Sequence, residues 1–216
     1  MKKTIGYLSF LSSILLLTAC GGAIVKEIPQ KPDRAGKYIF FLHGSVEESR
    51  GTTEKYHTAL NAIASSSATV LSEVRGDTDP NTYAKKIKNQ VDGLIANGVP
   101  AKNITISGFS KGSIITLAAA GVINRSDVNY VLLAGCSAEL NEKYNVDPSR
   151  AIGRILSIYD SGDDKFGSCE GHLKLSSQLI FDEIDLDSGK GHKVFRIPKE
   201  KFIRLWRDPL VKWAGL

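Results

Sequence analysis

The stretch Asn103-Ile104-Thr105-Ile106-Ser107-Gly108-Phe109-Ser110-Lys111-Gly112-Ser113-Ile114-Ile115 decides the fold. Ile104 to Ser107 reads as a buried strand that runs into a sharp turn. An apolar helix over residues 113–122 follows directly. A serine at the apex of such a turn stands on strained backbone that lifts its hydroxyl above the sheet. Positions 108 and 112 then require glycine, because a side chain would strike the neighbouring strand or helix. The helix N-terminus beneath the serine also stabilises developing negative charge. A bare Gly-x-Ser-x-Gly arises by chance in roughly one chain in fifteen of this length. It is the flanking strand and helix that make Ser110 a candidate nucleophile rather than part of a phosphate-binding or structural turn.

Outward from this turn, two periods alternate. Short β-rich runs stand at residues 38–42, 69–74, 103–107, 128–134, 155–159 and 179–186. Residues 54–67 and 83–97 instead place apolar residues on one helical face, the first with Tyr56, Leu60 and Ile63, the second with Ile87, Val91 and Leu94. Asn97-Gly98 followed by Pro100 is a helix stop. Pro198 opens a last helix carrying Phe202, Leu205, Trp206, Leu210 and Trp213, which Pro209 should kink or end. Alternation of this kind predicts a three-layer α/β sandwich: a mostly parallel sheet of about six strands with helices on both faces. Function is then expected at the carboxyl ends of the strands.

A serine hydroxyl needs a histidine to remove its proton. Of the four histidines, His192 in Gly189-Lys190-Gly191-His192 lies just beyond the last strand, where its glycines permit a loop to return over Ser110. His57 sits in a polar helix start and His172 follows the Cys169-Glu170-Gly171 turn. His43, in Leu42-His43-Gly44, precedes the serine and reads as structural. The imidazole in turn needs a buried carboxylate. The strand at 155–159 empties into Asp160-Ser161-Gly162-Asp163-Asp164. Asp163 leads, because a turn through Gly162 aims its side chain; Asp160 and then Asp164 are the alternatives. The run lacks the alternating spacing and terminal glutamate of a calcium loop, so no metal and no cofactor is expected. Arg75, at the end of the second strand, is a candidate for meeting an anionic substrate, or for an internal ion pair with Glu73 or Asp77.

The N-terminus reads as an export segment: Met1-Lys2-Lys3, an apolar run from Ile5 to Leu17 too short to span a bilayer, then Leu17-Thr18-Ala19-Cys20. Residues 1–19 are expected to be removed. Residues 20–36 mix glycine, proline and charge and read as a flexible tether, unless Ile24, Val25 and Ile28 dock as an edge segment. Residues 37–216 form the domain. The chain has 216 residues, 42% apolar and 24% charged, which excludes disorder and a multi-span membrane protein. Its net charge of +5 includes Lys2 and Lys3 and is too small to argue for nucleic acid. The basic, tryptophan-containing stretch 190–212 has core-helix spacing, with its lysines and arginines on the solvated face.

Taken together, His43-Gly44 after the first strand, the turn at Ser110, an acid after the penultimate strand and a histidine after the last make residues 37–216 resemble an α/β-hydrolase. The resemblance implies a triad of Ser110, Asp163 and His192, and an oxyanion hole formed by the backbone N–H of Lys111 with that of Ser45 or Gly44. It also implies neighbouring strands before Cys136 and Cys169, so that these two form a disulfide. With about six strands and no long insertion, a substantial lid is not expected. A small ester or thioester is the substrate class implied; a peptidase, or a binding or scaffold protein on the same fold without turnover, is the alternative. The Leu-Thr-Ala-Cys box is similar to that of bacterial lipoproteins, which implies acylation of Cys20 and membrane anchoring. Gly21 implies sorting to the outer membrane.

Overall fold

The computed structural model describes residues 22–173 and 177–216. The export segment and the expected acylation at Cys20 lie outside the described residues. Seven strands, all paired in parallel, form one sheet: β1 (Ile24–Val25), β2 (Tyr38–Leu42), β3 (Thr69–Leu71), β4 (Ile104–Phe109), β5 (Asn129–Leu133), β6 (Gly153–Tyr159) and β7 (Leu179–Asp185). Their order across the sheet is β1-β3-β2-β4-β5-β6-β7. Strands β2, β4 and β5 are buried along their whole length. This is why β2 and, from Tyr130 on, β5 read as continuous apolar runs; β4 also carries Thr105 and Ser107, and the buried Ser107 hydroxyl donates to the Phe40 carbonyl.

Among the described residues, six α-helices cover the sheet: α1 (Ser45–Arg50), α2 (Glu54–Ala64), α3 (Pro80–Ala96), α4 (Lys111–Ile123), α5 (Ala138–Lys143) and α6 (Glu200–Trp213). One layer pairs α3 with α4, and the other pairs α2 with α6. Local chemistry sets their starts. Thr53 accepts from Tyr56 N–H at the head of α2, and Asp79 accepts from Thr82 N–H at the head of α3 with Pro80 in the first helical position. Helix α4 is apolar on every side because it is buried against the sheet and α3.

Several expectations need correction. The seventh strand is β1, in the segment read as a tether. Its residues Ile24 and Val25 pair with Val70 and Leu71, Ile28 packs against the core, and Arg34 donates to the carbonyl of Asn97. From residue 22 onward the segment belongs to the domain, because unpaired donors and acceptors on β3 offered it an edge. The strand expected over 69–74 ends at Leu71, and beyond it Arg75 N–H donates to the His43 ring. Helices α1 and α5 lie in stretches to which the sequence assigned neither strand nor helix. Helix α6 begins at Glu200 and continues through Pro209, whose missing donor faces the carbonyl of exposed Leu205, where water can substitute. Leu205 is therefore not a core position; Ile203 is.

Candidate active site

In chain order, β3 is added on one side of β2 and β4 on the other. The carboxyl ends of β2 and β4 thus flank a switch in strand order, the place where an open parallel sheet leaves a crevice. Gly44 follows β2 there, and Ser110 follows β4.

Ser110 has φ 55° and ψ −121°, the strained turn expected between strand and helix. Its neighbours show why this conformation is imposed. A Cβ on Gly112 would lie 1.9 Å from the Leu42 carbonyl oxygen, and one on Gly108 would lie 2.2 Å from that of Gly112. Both positions are closed to any side chain, so β2, β4 and α4 approach as closely as backbone allows. The turn is tied to the adjacent strand as well, with Ser110 N–H donating to Leu133 O at 3.0 Å and Ser113 Oγ donating to the same carbonyl at 2.9 Å.

On the opposite rim, His192 Nδ1 lies 2.6 Å from Asp163 Oδ2. The Asp163 side chain is 1% exposed, and its other oxygen accepts from the N–H groups of Lys165 at 3.0 Å and Phe166 at 3.2 Å. With Nδ1 paired to a carboxylate, the imidazole keeps Nε2 as the nitrogen available for proton exchange. Its ring stacks on Phe166 and packs against Phe109, with centroids 4.9 and 4.8 Å away. Asp160, the alternative acid, is 0% exposed and does a different job. Its oxygens accept from the N–H groups of Gly162, Gly191 and Ser188, each at 3.0 Å, and from the Ser188 hydroxyl. Burial pushes its pKa up, but these donors more than offset that and leave it below the usual value. Asp160 therefore clamps the loop that carries His192. Gly191, at φ 56°, completes the clamp: a Cβ there would lie 2.5 Å from Gly162 O. Asp164 is exposed.

Gly44, Ser45, Ser110, Lys111 and His192 line one open cavity of about 350 Å³. Ser110 and His192 are not hydrogen-bonded to each other. Ser45 and Lys111 are the first residues of α1 and α4, so their N–H groups have no partner within their own helices. Two helix N-termini meet at the cavity. Cys136 and Cys169, after neighbouring strands β5 and β6, form a disulfide with Cα atoms 5.1 Å apart, bracing the loop that holds Asp163.

Arg75 does not line the cavity. It is 5% exposed, and its guanidinium is held by Glu48 at 3.0 Å and donates to the His43 carbonyl. Neither Glu73 nor Asp77 is its partner: Glu73 binds Tyr83 and Lys86, and Asp77 binds Lys111. Glu48 also holds the Lys111 ammonium at 2.8 Å, so one buried carboxylate bridges the loop after β3 to the start of α4. Burial works against charge on Lys111, but Asp77 and Glu48 more than compensate and its pKa rises. Glu47 holds Arg196 at 2.8 Å, linking α1 to the segment beyond His192. These two glutamates were missed in the sequence; their adjacency to His43-Gly44-Ser45 was the only signal. His43 is 2% exposed, with Nδ1 against Gly44 O at 2.8 Å and Nε2 accepting from Arg75 N–H at 2.9 Å. Both ring nitrogens are used in a neutral structural tie, as expected. Burial, helped by Arg75, depresses its pKa to about 4.

Among the described residues, no cluster of three or more His, Cys, Asp or Glu side chains is arranged to hold a metal, and no helix is long and apolar enough to cross a membrane.

The sequence model of a family described as phospholipase/carboxylesterase matches residues 70–164, from β3 through Ser110 to Asp163. No curated protein matches. Among solved structures, SOBER1 of Arabidopsis thaliana is 16% identical, covers 84% of this chain and 98% of its own, and has a TM-score of 0.52. A Xanthomonas campestris α/β serine hydrolase described as having no lid is 17% identical, with 88% and 86% covered and a TM-score of 0.54. A monoacylglycerol lipase of Paleococcus ferrophilus is 14% identical, with 82% and 96% covered and a TM-score of 0.52. At these identities the likeness is one of fold: the chain has the α/β-hydrolase fold.

Proposed function

We propose that the protein is a serine hydrolase that cleaves a carboxylic ester or thioester through an acyl-enzyme on Ser110. The observation that carries this reading is the buried Asp163 carboxylate on His192 Nδ1, at the rim of the cavity lined by Ser110 on its strained turn. His192 Nε2 takes the Ser110 proton as Oγ attacks the carbonyl carbon, and Asp163 holds the tautomer and stabilises the imidazolium. The backbone N–H groups of Lys111 and of Ser45 or Gly44 receive the oxyanion, each such donor contributing about 3 kcal/mol to the transition state. His192 then protonates the leaving group, and water attacks the acyl-enzyme by the same route. The serine–histidine contact forms with substrate in place, as such contacts commonly tighten only in the reacting complex. The matched phospholipase/carboxylesterase model and the monoacylglycerol lipase among the fold neighbours support the choice of an ester over an amide.

A fluorophosphonate probe tests the reading directly. Wild-type protein is expected to be labelled and Ser110→Ala not at all; unlabelled but folded wild type would refute it. A panel of ester, thioester and anilide substrates then fixes the leaving group. We further propose that the enzyme works at the cell envelope, anchored through acylated Cys20 at the periplasmic face of the outer membrane. Palmitate incorporation in the producing cell is expected for wild type and lost in Cys20→Ala.

A further inference from the structure

The charges around the cavity do not balance. Among the described residues, four cationic ones line it, Lys111, Lys143, Lys165 and Arg196, and no Asp or Glu does. Two of the four are neutralised from behind, Lys111 by Glu48 and Asp77, and Arg196 by Glu47. Lys143 and Lys165 have no carboxylate within ion-pair distance among the described residues. Asp77, whose carboxylate feels Lys143, is already committed to Lys111 at 2.8 Å. Lys143 closes the last turn of α5, with Nζ 5.3 Å from the centre of the Tyr144 ring. Lys165 stands on the loop whose backbone holds Asp163. Two unpaired ammonium groups thus sit at the mouth of a cavity whose other walls, Val46, Leu140, Tyr144 and Phe166, are largely apolar.

A cleft with low-dielectric walls and one sign of uncompensated charge concentrates ligands of the opposite sign. An apolar wall beside it suits a short hydrocarbon segment. We infer that the substrate is an anionic ester or thioester, carrying a carboxylate or phosphate a few bonds from the scissile carbonyl, and that Lys143 and Lys165 select it. This inference rests on the hydrolase reading above and deepens it. Arg75 was the candidate for meeting an anion, but its guanidinium is buried, and two lysines, one at the end of α5 and one on the Asp163 loop, are left to take the role.

The test compares matched substrates. The 4-nitrophenyl monoester of glutarate and its neutral isostere, 4-nitrophenyl 5-methylhexanoate, place the charge on the acyl side. The acetates of 4-hydroxybenzoate and 4-hydroxybenzamide place it on the leaving group. Wild type is expected to favour the charged member of at least one pair in kcat/KM, and the pair affected tells which side faces the lysines. In Lys143→Gln/Lys165→Gln the charged-to-neutral ratio should fall about tenfold, and rising ionic strength should erode the wild-type ratio in the same direction. Lys143→Glu/Lys165→Glu should invert the preference. Both lysines are exposed, so neither pair of substitutions threatens folding. A ratio unmoved by these substitutions, in protein that turns over the neutral esters, would overturn this inference alone. Protein that is neither labelled by fluorophosphonate nor active on any ester would overturn the parent reading and this one with it.

Discussion

The loop bearing Ser110 and the loop bearing His192 reach the same cavity by different physical means. Ser110 is held by steric exclusion: two glycines let three backbone segments touch, and only a few hydrogen bonds tie the turn down. His192 is held by carboxylates. Asp163 grips the ring, Asp160 gathers three backbone N–H groups and a hydroxyl, and a disulfide braces the acid loop from behind. Positioning by sterics leaves a rigid element that fails by clash. Positioning by hydrogen bonds leaves an element that fails by loss of one acceptor, and each acceptor can be removed singly. On the proposed mechanism, the difference separates catalysis from support within a single run of sequence, Asp160 to Asp164.

That separation gives the largest expected effect. Asp163→Asn keeps the shape of the side chain but can hold the wrong imidazole tautomer, and kcat is expected to fall about 10⁴-fold with little change in melting temperature. Asp160→Asn removes an acceptor from the Ser188 pair while leaving Asp163 on the ring. It should lower kcat only about ten- to a hundredfold, through misplacement of His192, and should lower the melting temperature more than Asp163→Asn does. Steady-state kinetics with thermal melts check both. If Asp160→Asn were the more damaging to kcat at unchanged stability, the assignment of the acid would be reversed.

The steric side is broken by a single methyl group. Gly112→Ala places a Cβ 1.9 Å from the Leu42 carbonyl, with no flexible side chain to yield. Backbone must move, and a loss of about 4 kcal/mol is expected, at the upper end for a point substitution. Gly76→Ala, where nothing lies within 4 Å of the added carbon, is the matched control and should change stability by less than about 0.5 kcal/mol. Chemical denaturation of the two variants measures the contrast.

The same contrast explains what was legible in the sequence. Steric devices leave glycines at fixed spacing, and Gly108 and Gly112 were readable for that reason. So was β2, whose unbroken apolar run reflects burial on both faces. Support by carboxylates leaves only composition. Asp163 could be placed ahead of Asp160 and Asp164 only through the turn at Gly162, and Glu47 and Glu48 belonged to no pattern at all. Their partners Arg196, Lys111 and Arg75 lie far along the chain, and no local pattern joins them. Strand β1 was legible only as the alternative to a tether, because two residues are too few to show a period and its formation depends on the open edge of β3.

His43 tests the boundary between these two kinds of support, because it is a polar tie buried as deeply as the glycine contacts. Its native imidazole resists protonation until about pH 4, whereas in the unfolded chain it takes up a proton near pH 6.5. Between those values the unfolded state binds more protons, so this residue's contribution to stability is full above about pH 6.5 and is lost as the pH falls toward 4. The loss is on the order of 3 kcal/mol at most. His43→Gln carries no titrating ring and can still accept from Arg75 N–H. It should be less stable than wild type at pH 7 but show a flatter decline in melting temperature between pH 6.5 and 4. An equally steep decline in the variant would mean that other groups govern acid sensitivity, and that the ring at position 43 is held by packing rather than by its two hydrogen bonds.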